Sequence, residues 1–186
     1  VGMICLSPVI AKILTPVIEP FYSLIGIDPS MFISMILPPD SGAYDIAMGL
    51  AKNPAVGAWS GTVVAAHIGA CFAFNIPTCL GIIDKSQHRY FSLGALSGLI
   101  ACPVGCILGG ILCGLPVVTV LYSLIPTIIL AGIIVLGLLF KPEAFMKGFQ
   151  VFGSILRVII TLGLTAAAIQ RLTGFVVIPG MKDVSD

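Results

Sequence analysis

Apolar residues run along this chain in long blocks rather than in an alternating or one-faced pattern, and polar residues gather at the joints between blocks. A helix needs about 20 mostly apolar residues to cross a bilayer. Leu93–Leu115 and Val117–Phe140 meet that length with no charged residue, and Gly148–Ile169 carries only Arg157. Pro54–Ile83 is also free of charge, but Asn75-Ile76-Pro77 interrupts it. The pattern therefore predicts four transmembrane helices over residues 54–172, followed by a loop over 173–186. Residues 1–53 are less regular. Val1–Ala11 reads as the tail of a helix, and Pro16 and Pro20 interrupt the apolar piece that follows, which carries Glu19. Asp28-Pro29-Ser30 is a helix start, an Asp cap followed by proline at the first helical position. That helix must stop at Pro38-Pro39-Asp40-Ser41-Gly42, where proline imposes extended backbone on its predecessor and glycine permits almost any conformation. A further helix is expected from about Ala43 to Ala51, and Asn53-Pro54 opens the next.

Composition agrees with a membrane solvent. The 186 residues are 58% hydrophobic and only 9% charged, against about 25% charged in soluble domains. A soluble chain of this size has too little core to hide so much apolar surface. The expected fold class is all-α: a polytopic transmembrane bundle, one membrane domain over 1–186 with broken or re-entrant helices before residue 54. The net charge of +1 leaves no basic field for nucleic acid. Lys85 and Arg89 in one connection, and Lys141 and Lys147 in another, place both on the cytoplasmic side by the positive-inside rule. The chain opens on Val1 inside an apolar stretch without a charged leader, so no signal peptide is expected and the chain reads as a fragment of a longer protein.

Small residues recur at four-residue spacing: Gly57 and Gly61, Gly94 and Gly98, Gly105 and Gly109, Gly110 and Gly114. Such faces let helix backbones approach closely in lipid, and they also allow a homo-oligomer. The six cysteines, Cys5, Cys71, Cys79, Cys102, Cys106 and Cys113, form no CxxC pair and no zinc spacing. They read as packing residues, and no metal or cofactor is expected. Phosphate-loop, serine-hydrolase and zinc-protease motifs are absent, so the chain does not read as an enzyme.

Ionisable groups within a membrane are expensive, so each is informative. Asp40 lies in a largely apolar run beside the sharpest backbone break. Non-helical backbone at membrane depth is tolerated only under protein or water. Asp40 and Gly42 are therefore a candidate solute or ion site; the competing reading is an interfacial hairpin whose Asp meets headgroup water. Tyr44 either sets a ring face against a cation or anchors at the interface. Asp45 shares the site or faces water. Pro77 frees the carbonyl of Ala73, and Asn75 offers a donor and an acceptor to a hydroxyl or amine, or simply mends the kink. His67 reads as a hydrogen-bonded interior residue. Glu19 is expected near an interface, and Arg157 pairs with an acid or snorkels.

Several short motifs fall in a recognisable order: Pro29-Ser30-Met31-Phe32, Asp40-Ser41-Gly42, Ile76-Pro77-Thr78-Cys79-Leu80-Gly81-Ile82-Ile83, Arg89-Tyr90, Pro103-Val104-Gly105-Cys106-Ile107, Gly148-Phe149-Gln150 and Ile178-Pro179-Gly180. Together they resemble the ethanolamine-utilisation membrane proteins of the EutH family. The resemblance implies a multi-pass permease of the bacterial inner membrane that carries ethanolamine, by facilitated diffusion or secondary transport. It also implies that this chain corresponds to the first half of a longer transporter whose second half is missing here. Asp40 and Gly42, then Ile76 and Pro77, map onto the two breaks of that pattern. The alternative function is a non-transporting membrane scaffold or subunit, which the small-residue faces would suit.

Overall fold

The structure, a computed structural model, describes residues 2–173; the loop expected over 173–186, with Ile178-Pro179-Gly180, falls almost wholly outside them. The fold is an all-α membrane helix bundle, with no strand among the described residues.

Helix α1 spans Gly2–Ile25 without interruption. The break expected at Pro16 and Pro20 is not there. Each proline removes one rung of the ladder, the bonds to Lys12 and Pro16, and the helix carries on past both gaps. Tertiary packing supports it: α1 lies along the helices formed by Ala43–Leu50 and Pro142–Thr173, and a Cβ on Gly49 would come within 3.1 Å of Ala11. At its end Gly26 turns left-handed (φ 74°). The Ile27 N–H then reaches back to Tyr22 and the Gly26 N–H to Ser23, the paired bonds that close a helix on glycine.

The next 25 residues form two short helices, α2 (Ser30–Ser34) and α3 (Ala43–Leu50), joined by a single 3-10 turn at Pro39–Ser41. Both ends of each lie close to the expected positions. Helix α4 (Pro54–Ile82) runs unbroken for 29 residues, with wide π turns over Ser60–Gly69 and Cys71–Asn75. The break expected at Asn75-Ile76-Pro77 is also absent. Pro77 falls in the first turn of the α-helical segment that follows the π turns. There the ladder changes register, and a missing N–H costs least.

Helix α5 spans His88–Leu112 and, like α4, is long and apolar enough to cross a membrane. Val117–Phe140, expected as one span, is instead two helices, α6 (Val117–Ser123) and α7 (Ile125–Phe140), bent by 42°. Pro126 cannot donate to Tyr122, so the ladder opens at Leu124. By length and composition two described helices cross a membrane, or three if the bent pair counts as one. Helix α8 (Pro142–Thr173) starts earlier than expected. Only Lys141 separates it from α7, so Lys147 lies in a helix rather than in a connecting loop.

The core centres on Trp59, Met31, Ile68, Val64, Val120 and Leu124, all almost fully buried. The indole of Trp59 donates to the Cys106 carbonyl at 3.1 Å and so ties α4 to α5. Many large side chains face outward, among them Leu24, Leu112 and Leu172, each more than four-fifths exposed. In water that surface would drive aggregation; in lipid it is ordinary.

Candidate functional site

The segment from Asp28 to Asn53 enters the bundle and leaves it at the same end. One carboxylate holds both ends. Asp28 Oδ1 accepts from the Ser30 N–H at 3.0 Å, the cap that the sequence predicts. Its other oxygen accepts from the backbone N–H groups of Lys52 at 3.0 Å and Asn53 at 2.9 Å. Asn53 in turn caps α4, accepting from Ala55 at 3.0 Å. Lys52 also pairs with Glu19, 3.4 Å away, and the Tyr122 hydroxyl donates to Ile25 at 2.7 Å. The mouth of the hairpin is thus polar and clasped, as expected of a segment that starts and ends at an interface.

The hairpin is seated on α4 by small residues. A Cβ on Gly57 would meet Ala51 at 2.5 Å, and one on Gly61 would meet the Cα of Tyr44 at 2.8 Å. A Cβ on Gly69 would collide with the Leu37 carbonyl and come within 2.8 Å of the Ser34 carbonyl. The two chains therefore run antiparallel from the mouth, and the tip comes to rest beside Gly69. Buried hydroxyls reinforce the seat: Ser60 donates to Ser30 at 3.0 Å, and Ser34 to the Ser30 carbonyl at 2.9 Å.

Two independent lengths place the tip. Ten residues of largely helical chain from Asp28 to Pro38 reach about 15 Å, half of the roughly 30 Å hydrocarbon core. Gly69 lies one residue from the middle of α4, whose ends are the polar mouth and the Asp84–Arg89 connection. The tip of the hairpin thus lies beside the middle of α4.

At the tip the backbone is irregular for a reason written in the sequence. Pro38 and Pro39 carry no N–H, so the carbonyls of Ser34 and Met35 lose the donors a continuing helix would give. Pro38 is extended (ψ 160°), and Gly42 is left-handed (φ 87°) before α3 begins. A residue with a Cβ is strained at that φ, which explains glycine there. Asp40 is exposed and has no hydrogen bond or ion pair among the described residues. Tyr44 is 41% exposed, in the first turn of α3, and Asp45 is half-buried beside it. Asp40, Gly42 and Tyr44 are therefore neighbours at one tip.

Asn75 and Pro77 lie elsewhere. Asn75 is exposed, and its amide faces the Cys71 sulfur at 4.0 Å. Pro77 packs on α8, where a Cβ on Gly153 would come within 2.6 Å of it. His67 belongs to the α4–α5 contact. Its Nδ1 bonds the Val63 carbonyl at 2.8 Å, and a Cβ on Gly105 would sit 2.7 Å from Nε2. Cys102 donates to the His67 carbonyl at 3.5 Å. Two features escaped sequence reading: the second job of Asp28, and Gly69 as the seat of the tip. Neither has a local signature, because each depends on a partner far along the chain.

Over residues 1–186 the chain matches the family described as Ethanolamine utilisation protein, EutH. It is 42% identical over 186 residues to a protein of Listeria monocytogenes serotype 1/2a (strain 10403S) named "Probable ethanolamine permease EutH", covering 100% of this chain and 50% of that one. A protein of Escherichia coli (strain K12) with the same name is 41% identical over 198 residues, covering 99% and 48%. The "Uncharacterized protein YxeR" of Bacillus subtilis (strain 168) is 38% identical over 184 residues, covering 99% and 50%. The chain spans about half the length of these curated relatives. No solved structure matches it.

Proposed function

Because the chain belongs to the EutH family of ethanolamine utilisation proteins, we propose that it forms half of a bacterial inner-membrane, multi-pass ethanolamine permease whose amine site is the tip of the α2–α3 hairpin. The observation that carries this reading is the clasped hairpin itself. Its mouth is fixed by Asp28, and its tip meets the middle of α4. Transporters with discontinuous helices bind at the midplane, where half-helix ends and free carbonyls supply the ligands.

The chemistry suits a small ammonium alcohol. The ammonium has three N–H donors and one positive charge. Asp40 offers an unpaired carboxylate. Tyr44 supplies a ring for a cation–π contact worth about 0.5–2 kcal/mol. Asn75, some six residues beyond Gly69 on α4, is too far along the helix to complete this site without movement. It suits a second station for the hydroxyl instead. The Listeria monocytogenes and Escherichia coli relatives are each named a probable ethanolamine permease.

The test is uptake of labelled ethanolamine by cells carrying the full-length protein. External amine is kept low and the pH mildly acidic, so that the amine is charged and leaks little. A hydrogen bond to a charged group is worth about 1.5–3 kcal/mol. Asp40→Asn should therefore raise the apparent KM by roughly ten-fold or more. Unchanged saturation kinetics, at equal protein in the membrane, would remove Asp40 from the site. The scaffold reading draws on Gly94 and Gly98, around whose missing Cβ atoms nothing lies within 4 Å. It predicts no saturable uptake at all.

A further inference from the structure

A groove of about 1030 Å³ opens between α1, α7 and α8, and its floor is the α2–α3 hairpin. Its walls are apolar, formed by side chains such as Phe21 on α1 and Ile133 on α7, each more than half exposed. Binding pockets for small polar ligands carry a few convergent polar groups, whereas among the side chains lining this groove only Tyr22 carries one, a hydroxyl. It is not the amine site.

Three observations say what fills it. The floor includes Met35 and Ile36, in the hydrogen-bonded turn that carries α2 on towards Pro38. That turn lies just before two prolines, so the Met35 carbonyl has lost its helical donor. Acyl chains offer no donor, and a carbonyl left without one in a bilayer survives only against protein or water. Water is excluded by the apolar walls. Second, Ala144 and Gly148 line the groove on α8 at four-residue spacing, and nothing lies within 4 Å of where a Cβ on Gly148 would be. Small residues at this spacing let another helix approach closely. Third, the curated relatives carry about as many residues again as this chain covers.

We infer that the groove seats a transmembrane helix from the other half of the family's chain, docked on Ala144 and Gly148 and covering the turn at Met35–Ile36. The hairpin is then enclosed between the two halves, with this half providing its seat on α4 and the other its cover.

The test uses a full-length family chain carrying this sequence, and neither readout involves uptake. Gly148→Leu has open space within this half, so it disturbs only an incoming helix. Overpacking of that kind should lower the thermal midpoint in detergent by roughly 5 °C or more. A midpoint equal to that of the unsubstituted protein would overturn the inference. In the second readout, Ile133→Cys in native membranes is treated with a water-soluble and a lipid-soluble maleimide. Protection from both is expected if a helix covers it. Reaction with the lipid-soluble reagent would show that lipid fills the groove. Reaction with the water-soluble one would show an aqueous path, and either result refutes the docking.

Discussion

Replacing Asp28 with alanine removes three hydrogen bonds at once: the cap on Ser30 and the two that hold Lys52 and Asn53. A lost cap costs about 1 kcal/mol. The other two bonds share one oxygen and lie at an exposed edge, so they are worth less than the 1.5–3 kcal/mol of a buried charged bond. Together they add about 1–2 kcal/mol after screening. The freed amides reach water, so no buried-donor penalty follows. Asp28→Ala should thus cost about 2–3 kcal/mol, or a midpoint lowered by roughly 5–10 °C for a chain of this size. Asp28→Asn keeps a single acceptor oxygen and should fall about halfway. Glu19→Gln breaks only the exposed 3.4 Å pair with Lys52 and should cost less than about 0.5 kcal/mol. Thermal unfolding in detergent gives the order, and amide exchange at Lys52 and Asn53 gives the location. If Asp28→Ala melted with wild-type protein and left those two amides as protected as before, the hairpin would not be clasped by this carboxylate. The placement of its tip beside the middle of α4 would then lose its anchor.

Two further outcomes follow from close approaches. Gly69→Ala drives a methyl into the carbonyls of Leu37 and Ser34, which are backbone and cannot swing aside. It should cost up to about 3 kcal/mol and reduce uptake with Asp40 intact; unaltered stability and uptake would mean that the tip does not rest there. Gly105→Ala brings a methyl to 2.7 Å from His67 Nε2. It should destabilise by about 1–3 kcal/mol, and adding His67→Ala should recover much of that loss in a double-mutant cycle; additive losses would separate the two residues.

The bundle was legible from composition and block pattern because a bilayer demands long apolar helices, and that demand does not depend on which helix meets which. The Pro38–Gly42 turn was legible because two adjacent prolines and a glycine admit no helix. The prolines at 16, 20 and 77 were misread by the same logic. A lone proline removes one bond, and whether the helix survives is decided by a π turn or a packed partner. Pro126 shows the opposite error: it was passed over inside an apolar run, yet there the ladder opens and the chain bends. Asp40, Gly42 and Tyr44 share a tip because they are close in sequence. The coupling of Asp28 to Lys52 and Asn53, and of Leu37 to Gly69, spans 24 to 32 residues and leaves no local trace.

The chemistry of the proposed site and the need for a second half have one origin. Pro38 and Pro39 set Asp40 at a turn that a helix cannot continue through, and they leave the carbonyls of Ser34 and Met35 without helical donors. Such carbonyls cannot face acyl chains, where each unsatisfied group costs several kcal/mol. Gly69 shields one flank by letting the backbone of Leu37 press against α4. The other flank opens on an apolar groove with small residues prepared for a helix. A site of this kind is safe in a membrane only when enclosed, and useful only when the enclosure can part towards either side. Movement of the covering half against the clasped hairpin would meet both conditions while Asp28 holds the mouth fixed.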